Sequence, residues 1–534
     1  AGPSAYGTNV WWTDQDADIW TSRWSELGPS QVRLFVSHAL VEPENDNDDP
    51  TTIDWSGFLF ETPITATPTR TATYRNWFEA LRDQPDLDIM IHFSYLAPWL
   101  TDNPSHEEYL FQVAPYPPND LEEYREFVEA TLRFLVEEVD FPPERIFIEA
   151  MNEPDLGCGV DPVVLCFWQD WTMTDIAEVV RVTHEVIQEM DADITLVGLA
   201  ECCGTSVVRD LLDNYSEGDY LEGLSYHYYA QGYNLNQALS RASTLSAYDY
   251  PIYLNEYGSR NYLSEGVDGA LWHSWALATL WEAGIAPIQY PSSEWPLLGE
   301  PYNSMGLFAD WRGNWERKPS YWVYANFFHL VTGEVISHTA PSGLDVLVTR
   351  QIAADEARVT FWVVNRGDAP LADHVFAVYN FPEQEATLCA YDNLVGPTPT
   401  LTTTVEGLPL VFTATLPARS SHTFVLSSAR APGLLDHVQL APDSAIRVAG
   451  RSISYTLTAY DAYDIDWDIT LSGTYMISQG AGGHWTNNFY TTEITGAWNV
   501  TGAYEGKIDN AVLKVWRPSA YLYLPIILKS YASH

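Results

Sequence analysis

Positive charge is what this 534-residue chain has least of. It carries 26 Lys and Arg against 72 Asp and Glu, a formal net charge of −46, and lysine occurs only at Lys318, Lys507, Lys514 and Lys529. So acidic a surface repels nucleic acid and anionic membranes, which removes both as partners. It argues equally against a highly charged acidic polysaccharide, and it suits secretion into a salty medium. No run of 18 or more residues is apolar throughout, so no membrane-spanning helix is expected. The opening stretch AGPSAYGTNVWW has neither a charged n-region nor an apolar h-region. It reads as the mature start of an exported protein or as a trimmed chain. Cysteine is sparse, five in all. Cys158 and Cys166 bracket a short loop and Cys202 and Cys203 are adjacent, a spacing that fits no common zinc pattern. Disulfides among these four, bracing loops after two neighbouring strands, are expected, with Cys389 left as a buried free thiol.

Apolar and aromatic material, by contrast, is plentiful. Hydrophobic residues make up 46% of the chain, with 21 Trp, 32 Tyr and 20 Phe. Most must serve the core; a surplus suits a cleft for carbohydrate, because aromatic faces stack on the C–H faces of sugar rings. The length implies two to four domains. Over residues 1–332, β-like runs alternate with amphipathic helical stretches. The runs are 5–12, 31–37, 88–95, 145–153, 194–200, 221–229, 252–258 and 286–295. Helical patterns include 120–139, 175–190 and 320–332. The first half alone would fit a doubly wound sheet, but eight runs, each ending in polar and aromatic residues, predict an α/β fold, a (β/α)₈ TIM barrel. From 333 to 428 the pattern has period two and predicts an antiparallel β-sandwich. A second all-β domain, similar to bacterial immunoglobulin-like modules in its Ser/Thr-rich strands and short turns, is expected over 429–516. Residues 517–534 are expected to be a C-terminal tail, whose apolar stretch 521–531 is too short to span a bilayer.

Two segments carry chemistry. EAMNEPDLG (149–157) puts Asn152 and Glu153 at the end of the fourth expected strand, and YLNEYGS (253–259) puts Glu256 at the end of the seventh. In a barrel of this kind both carboxylates would face the cleft at the C-terminal mouth. Cleavage of a glycosidic bond needs such a pair, and enzymes that retain configuration hold the two carboxyls about 5–5.5 Å apart.

An Asn-Glu pair closing strand four and a Glu closing strand seven, 256 − 153 = 103 residues later, resembles the signature of glycoside hydrolase clan A, the retaining (β/α)₈-barrel glycosidases. The domain order is similar to families 39, 30 and 51 and the strand motifs to family 5; the resemblance covers about residues 6–332. It implies Glu153 as acid/base and Glu256 as nucleophile. It further implies Asn152 on the sugar 2-hydroxyl, Arg33 beside the nucleophile, and Tyr229 donating to Glu256. His227 would frame the acid/base or the sugar, and Trp295 would floor the subsite of the reacting ring. His38, His92, Tyr95 and Trp99, at or after strands two and three, are weaker subsite candidates. Burial and the charge of Glu256 should raise the pKa of Glu153. No cofactor and no metal is implied. The expected function is double-displacement hydrolysis of a β-linked poly- or oligosaccharide, with the C-terminal domains serving as spacer, stabiliser or cell-surface anchor. The alternative is a carbohydrate-binding or cell-surface protein that keeps the barrel without the catalysis.

Overall fold

Apolar runs flanked by turn residues, as parallel strands buried on both faces require, build the centre of the molecule. A computed structural model describes residues 5–10, 17–47, 49–63, 73–94, 96–101, 116–156, 168, 170–259, 261, 266–289, 305–309, 313–353, 356–429, 435–461 and 466–517. Its first eight strands are β1 (Gly7–Val10), β2 (Gln31–Ser37), β3 (Asp88–Ser94), β4 (Ile146–Glu149), β5 (Thr195–Glu201), β6 (Gly223–Ala230), β7 (Ile252–Ser259) and β8 (Ala286–Gln289). They close in sequence order into a parallel barrel, β8 pairing back to β1. The closure is tight at Gly7, where a Cβ would stand 1.7 Å from the Gln31 carbonyl oxygen, so only glycine fits.

Helices α1 (Ala17–Leu27), α2 (His38–Val41), α3 (Tyr74–Arg82), α4 (Leu121–Arg133), α5 (Met173–Glu189), α6 (Ser206–Asn214), α7 (Asn236–Leu245), α8 (Val267–Glu282) and α9 (Pro319–Leu330) alternate with the strands or follow them. Their starts are written locally. Thr73 with Asn76 and Thr172 with Asp175 form capping boxes for α3 and α5. Asp120 accepts from the Glu122 and Glu123 amides at the start of α4. The helix expected over 120–139 is α4 followed by one π turn, Phe134–Glu138.

Strand alternation sorts the barrel's side chains. Val32, Leu34 and Val36 of β2 and Ile89, Ile91 and Phe93 of β3 join the large cluster beneath the helices. Inside, Met90, Val197, Tyr253, Ala286 and Ile288 form a separate apolar floor. Arg33, His92, Glu149, Ser225 and Asn255 are among the fully buried polar residues of the barrel strands.

After α9 come β9 (Glu334–Val335), β10 (Leu344–Ile352), β11 (Glu356–Asn365), β12 (Leu371–Val378), β13 (Glu385–Asp392), β14 (Leu401–Glu406), β15 (Leu410–Leu416) and β16 (Ser420–Ala429). Six of these form one sheet in the order β14-β13-β16-β11-β10-β9, and β12 pairs with β15. Barrel and sandwich share a compact unit comprising residues 1–350, 359–379 and 387–426. Within it the Trp362 indole donates to the Ser274 carbonyl at 3.1 Å and stacks edge-on against Phe327, so the sandwich covers the apolar surface of α8 and α9. Cys389 is free, as expected, but half-buried rather than buried, because its neighbours Leu388 and Ala390 take the inward positions of β13.

The second compact unit comprises residues 351–358, 380–386 and 427–534. Its later part holds three small sheets with their own core of Val438, Leu440, Tyr455, Leu457, Tyr490 and Leu513. No helix among the described residues is long and apolar enough to cross a membrane.

Candidate active site

Arg33 organises the mouth of the barrel. It projects inward from β2, is fully buried, and spends its guanidinium on four acceptors from three other strands or their loops. Nε donates to Glu149 at 2.7 Å, Nη1 to Glu256 at 2.7 Å and to Asn9 at 3.0 Å, and Nη2 to Asn152 at 2.7 Å. Burial opposes its charge, but the ion pairs with Glu149 and Glu256 win and hold its pKa above the ordinary guanidinium value. Glu149 is fixed in turn by Asn255 at 2.5 Å and by the Ser225 hydroxyl. The Asn9 amide donates to the Asn255 and Gln289 carbonyls, tying β1 to β7 and β8.

Glu153 lies four residues beyond the end of β4 rather than on it. Its φ of 53° is left-handed, an unfavourable region for a branched or long side chain, and its amide donates to the Ala200 carbonyl at 3.2 Å. Asp155 holds this turn in place, accepting the Cys202 amide at 2.8 Å and the Cys203 amide at 2.7 Å. Glu256 sits within β7, where a bulge opposite Tyr226 and His227 re-aims the strand.

The two glutamates meet across His227. Its Nδ1 is 2.8 Å from Glu153 and 3.3 Å from Glu256. One oxygen of each carboxylate and the His227 nitrogen all lie within 4.8 Å of one another. The Tyr229 hydroxyl donates at 2.7 Å to Glu256 Oε2, the oxygen that His227 also approaches. We assign the His227 proton to Nδ1, which satisfies both carboxylate contacts; Nε2 is buried with no partner among the described residues. Burial pushes the His227 pKa down to about 4, so the ring is neutral at pH 7.

The environments of the carboxylates differ. Glu256 is 6% exposed and receives the Arg33 and Tyr229 donors; Glu153 is 12% exposed and lacks both. Burial, then the negative Asp155, raise the Glu153 pKa to about 8 against the opposing pull of Arg33. The expected contribution of Glu256 to this shift is replaced by that of Asp155, the carboxylate on the same turn.

Thus Arg33, Asn152, Glu153, His227, Tyr229 and Glu256 come together at one mouth. Trp295 and Tyr95 lie outside the described residues. His92 is fully buried, with its ring edge-on to Phe35 and near enough to Arg33 and His227 for their charges to bear on it. His38 is a buried brace, accepting the Ala97 amide at Nδ1 and facing Glu42 at Nε2, while the Trp99 indole caps the Glu42 carbonyl. Glu149, Asn9, Asn255, Ser225 and Asp155 went unnoticed in the sequence as parts of this site. Their signal is a polar residue inside an otherwise apolar strand, as Glu149 ends IFIE.

The disulfide expectation is met in part: Cys202 and Cys203 are joined to each other, one of the pairings the four cysteines allow, so neither is available to bridge the loop after β4. Adjacent residues in the short turn between β5 and α6 have their Cα atoms 3.8 Å apart, nearer than any other cysteine among the described residues. Cys158 and Cys166 lie outside the described residues. Among the described residues, two groups have donors spaced for a metal ion, Glu153 with His227 and Glu256, and Asp155 with Cys202 and Cys203.

Neither a protein-family model nor a curated protein matches the sequence. Solved structures do match, each over 80% of this chain. A GH30 endoxylanase from Clostridium papyrosolvens is 15% identical, with TM-score 0.55 and 97% of that chain covered. A glucosidase from Croceicoccus marinus is 12% identical, with TM-score 0.58 and 96% covered. A monomeric β-xylosidase from Caulobacter crescentus is 14% identical, with TM-score 0.56 and 97% covered. The barrel followed by antiparallel β-sheets is therefore a fold this chain shares with glycoside hydrolase structures, including members of families 30 and 39.

Proposed function

We propose that this chain is a retaining glycoside hydrolase acting on a β-linked oligo- or polysaccharide. One observation carries the reading: two carboxylates with oxygens inside 4.8 Å at the barrel mouth, held in opposite environments. Such a pair, with one member kept protonated, is the equipment of acid/base plus nucleophile. The spacing suits a carboxylate that attacks carbon directly; inversion needs about 6.5–9.5 Å to admit a water.

Glu256, charge-balanced by Arg33, attacks the anomeric carbon as the glycosidic C–O bond breaks. Glu153, protonated below about pH 8, gives its proton to the departing oxygen. Water then enters the vacated side, loses a proton to Glu153, and displaces Glu256 with the original configuration restored. Asn152, anchored by Arg33 at its Oδ1, has its amide NH₂ free of that contact to meet a sugar hydroxyl. The acidic, lysine-poor composition supports a secreted protein, and the C-terminal β-domains suit attachment at a cell surface.

The named neighbours make aryl β-xylosides and β-glucosides the first substrates to try. With Glu256→Ala, hydrolysis falls by several orders of magnitude, and azide yields a glycosyl azide of inverted configuration. With Glu153→Ala, a dinitrophenyl glycoside still glycosylates Glu256, turnover stalls, and azide rescues with retained configuration. Inverted azide from the Glu153 variant and retained azide from the Glu256 variant would exchange the two roles. No turnover of any glycoside by the native chain would leave a carbohydrate-binding protein. The metal-capable spacing of Glu153, His227 and Glu256 favours a second reading, a metal-dependent hydrolase. Turnover unaffected by exhaustive chelation excludes it.

A further inference from the structure

The loop after α2, residues 42–54, reads EPENDNDDPTTID and lies against the first turns of α4. Asp46 from the loop and Glu123 and Glu126 from the helix face one another there, on the outside of the barrel. Glu126 is 1% exposed, and neither of its carboxylate oxygens has a hydrogen-bond partner among the described residues. Glu123, 8% exposed, has Oε2 bare, and Asp46 has Oδ1 bare and buried. Four buried carboxylate oxygens from three side chains therefore lack a donor among the described residues. Glu42 adds a fourth carboxyl, held by Nε2 of a buried, neutral His38. The nearest base in sequence, Arg125, is turned away to Glu129 and Glu189.

Burial, and then the Coulombic repulsion of Asp46, Glu42 and Glu123, raise the Glu126 pKa to about 8, so holding this carboxylate charged is expensive without a counter-ion. We infer that Asp46, Glu123 and Glu126, with Glu42 beside them, form a divalent-cation site suited to calcium. The donors are all hard oxygens with no nitrogen or sulfur among them, and they sit on one helix and one loop. Calcium takes six to eight such ligands at flexible geometry, whereas magnesium gives up its water reluctantly and demands a near-octahedral cage. The three side chains do not share one 4.8 Å donor sphere, so binding draws the loop down onto α4. The overall charge of −46 raises the local concentration of cations.

The test uses the full chain, dialysed against EDTA and then titrated with calcium chloride by calorimetry, with thermal unfolding followed in parallel. The expected result is a saturable heat and a rise in Tm of roughly 3 °C or more at saturating calcium. Glu126→Gln keeps the shape and removes one charge. It should unfold in EDTA no earlier than the native chain, since repulsion is relieved, and lose both the heat and the Tm response. Glu123→Gln serves as the second variant should the first fail to fold. Glu256→Gln, altered in the cleft, should keep the response intact. The inference is overturned if calcium gives no heat and no Tm shift. It is equally overturned if the response survives both loop-facing variants or vanishes in Glu256→Gln.

Discussion

Met90, Phe147 and Tyr253 belong to the apolar floor of the barrel; two residues further along the same three strands stand His92, Glu149 and Asn255, in the polar layer. The two layers share strands, burial and alternation, yet they are held by different physics. The floor coheres by non-directional burial, in which each side chain needs only fill its volume. The polar layer, His92 apart, coheres through directional bonds converging on one guanidinium, so each partner is answerable to the others. Floor substitutions should therefore cost stability in proportion to volume and leave turnover alone. Substitutions in the polar layer should cost both.

The widest separation is expected at Arg33. Arg33→Met keeps length and apolar volume but leaves Glu149 and Glu256 buried without their counter-charge. Breaking a buried pair from one side costs about 3–5 kcal/mol. Hydrolysis should fall by at least a hundredfold as well, because Glu256 loses its charge partner and Asn152 its anchor. Denaturant unfolding and steady-state kinetics on the same preparation check this. A loss below about 1 kcal/mol would mean the polar layer tolerates what the floor tolerates, and the contrast would fail.

Asp155→Asn probes the layer from its rim. Asp155 is the negative neighbour that adds to burial in raising the Glu153 pKa to about 8. In the proposed mechanism the protonated form of Glu153 does the acid work, so kcat/KM should fall as pH rises through that value. Removing the Asp155 charge moves this alkaline limb to lower pH, and activity at pH 8 relative to pH 6 drops roughly two- to fivefold. Asparagine still has an oxygen for one of the Cys202 and Cys203 amides. A uniform drop at every pH would make Asp155 a brace for the turn and nothing more.

The floor was easier to read in the sequence than the polar layer. QVRLFVS coincides with β2 residue for residue, because a doubly buried parallel strand is a near-continuous apolar run with turn residues at each end. Glu153 and Glu256 were legible because the Asn-Glu pairs stand out at the ends of such runs. Glu149, Asn9 and Asn255 were not, although each lies inside a quoted segment. An inward polar residue acquires meaning from its partner on another strand, and register across a barrel is not local information. The left-handed turn that carries Glu153 past the end of β4 depends likewise on Ala200 and on the Asp155 contacts to the next loop. The sequence left the partner of Cys202 open, because cysteine spacing alone does not choose between a bond to the adjacent Cys203 and one to the neighbouring loop.

The smallest expected effect is at the floor itself. Ile288 is fully buried on β8, pairs with Gly7 of β1, and packs in the apolar layer with Met90 and Tyr253. Ile288→Val removes one methylene from a site walled by strands that cannot collapse inward, so part of the lost volume persists as a void. The cost should be about 0.5–1.5 kcal/mol, read as a lower denaturant midpoint at unchanged slope. None of the lost contacts reaches Arg33, whose position is set by its own hydrogen bonds to Asn9, Glu149, Asn152 and Glu256. kcat/KM should therefore stay within twofold of the native value, and the alkaline limb of the pH profile should not move. A tenfold loss of activity from this one methylene would show that the polar layer rests on the packing beneath it, and the two layers would have to be treated as a single mechanical unit.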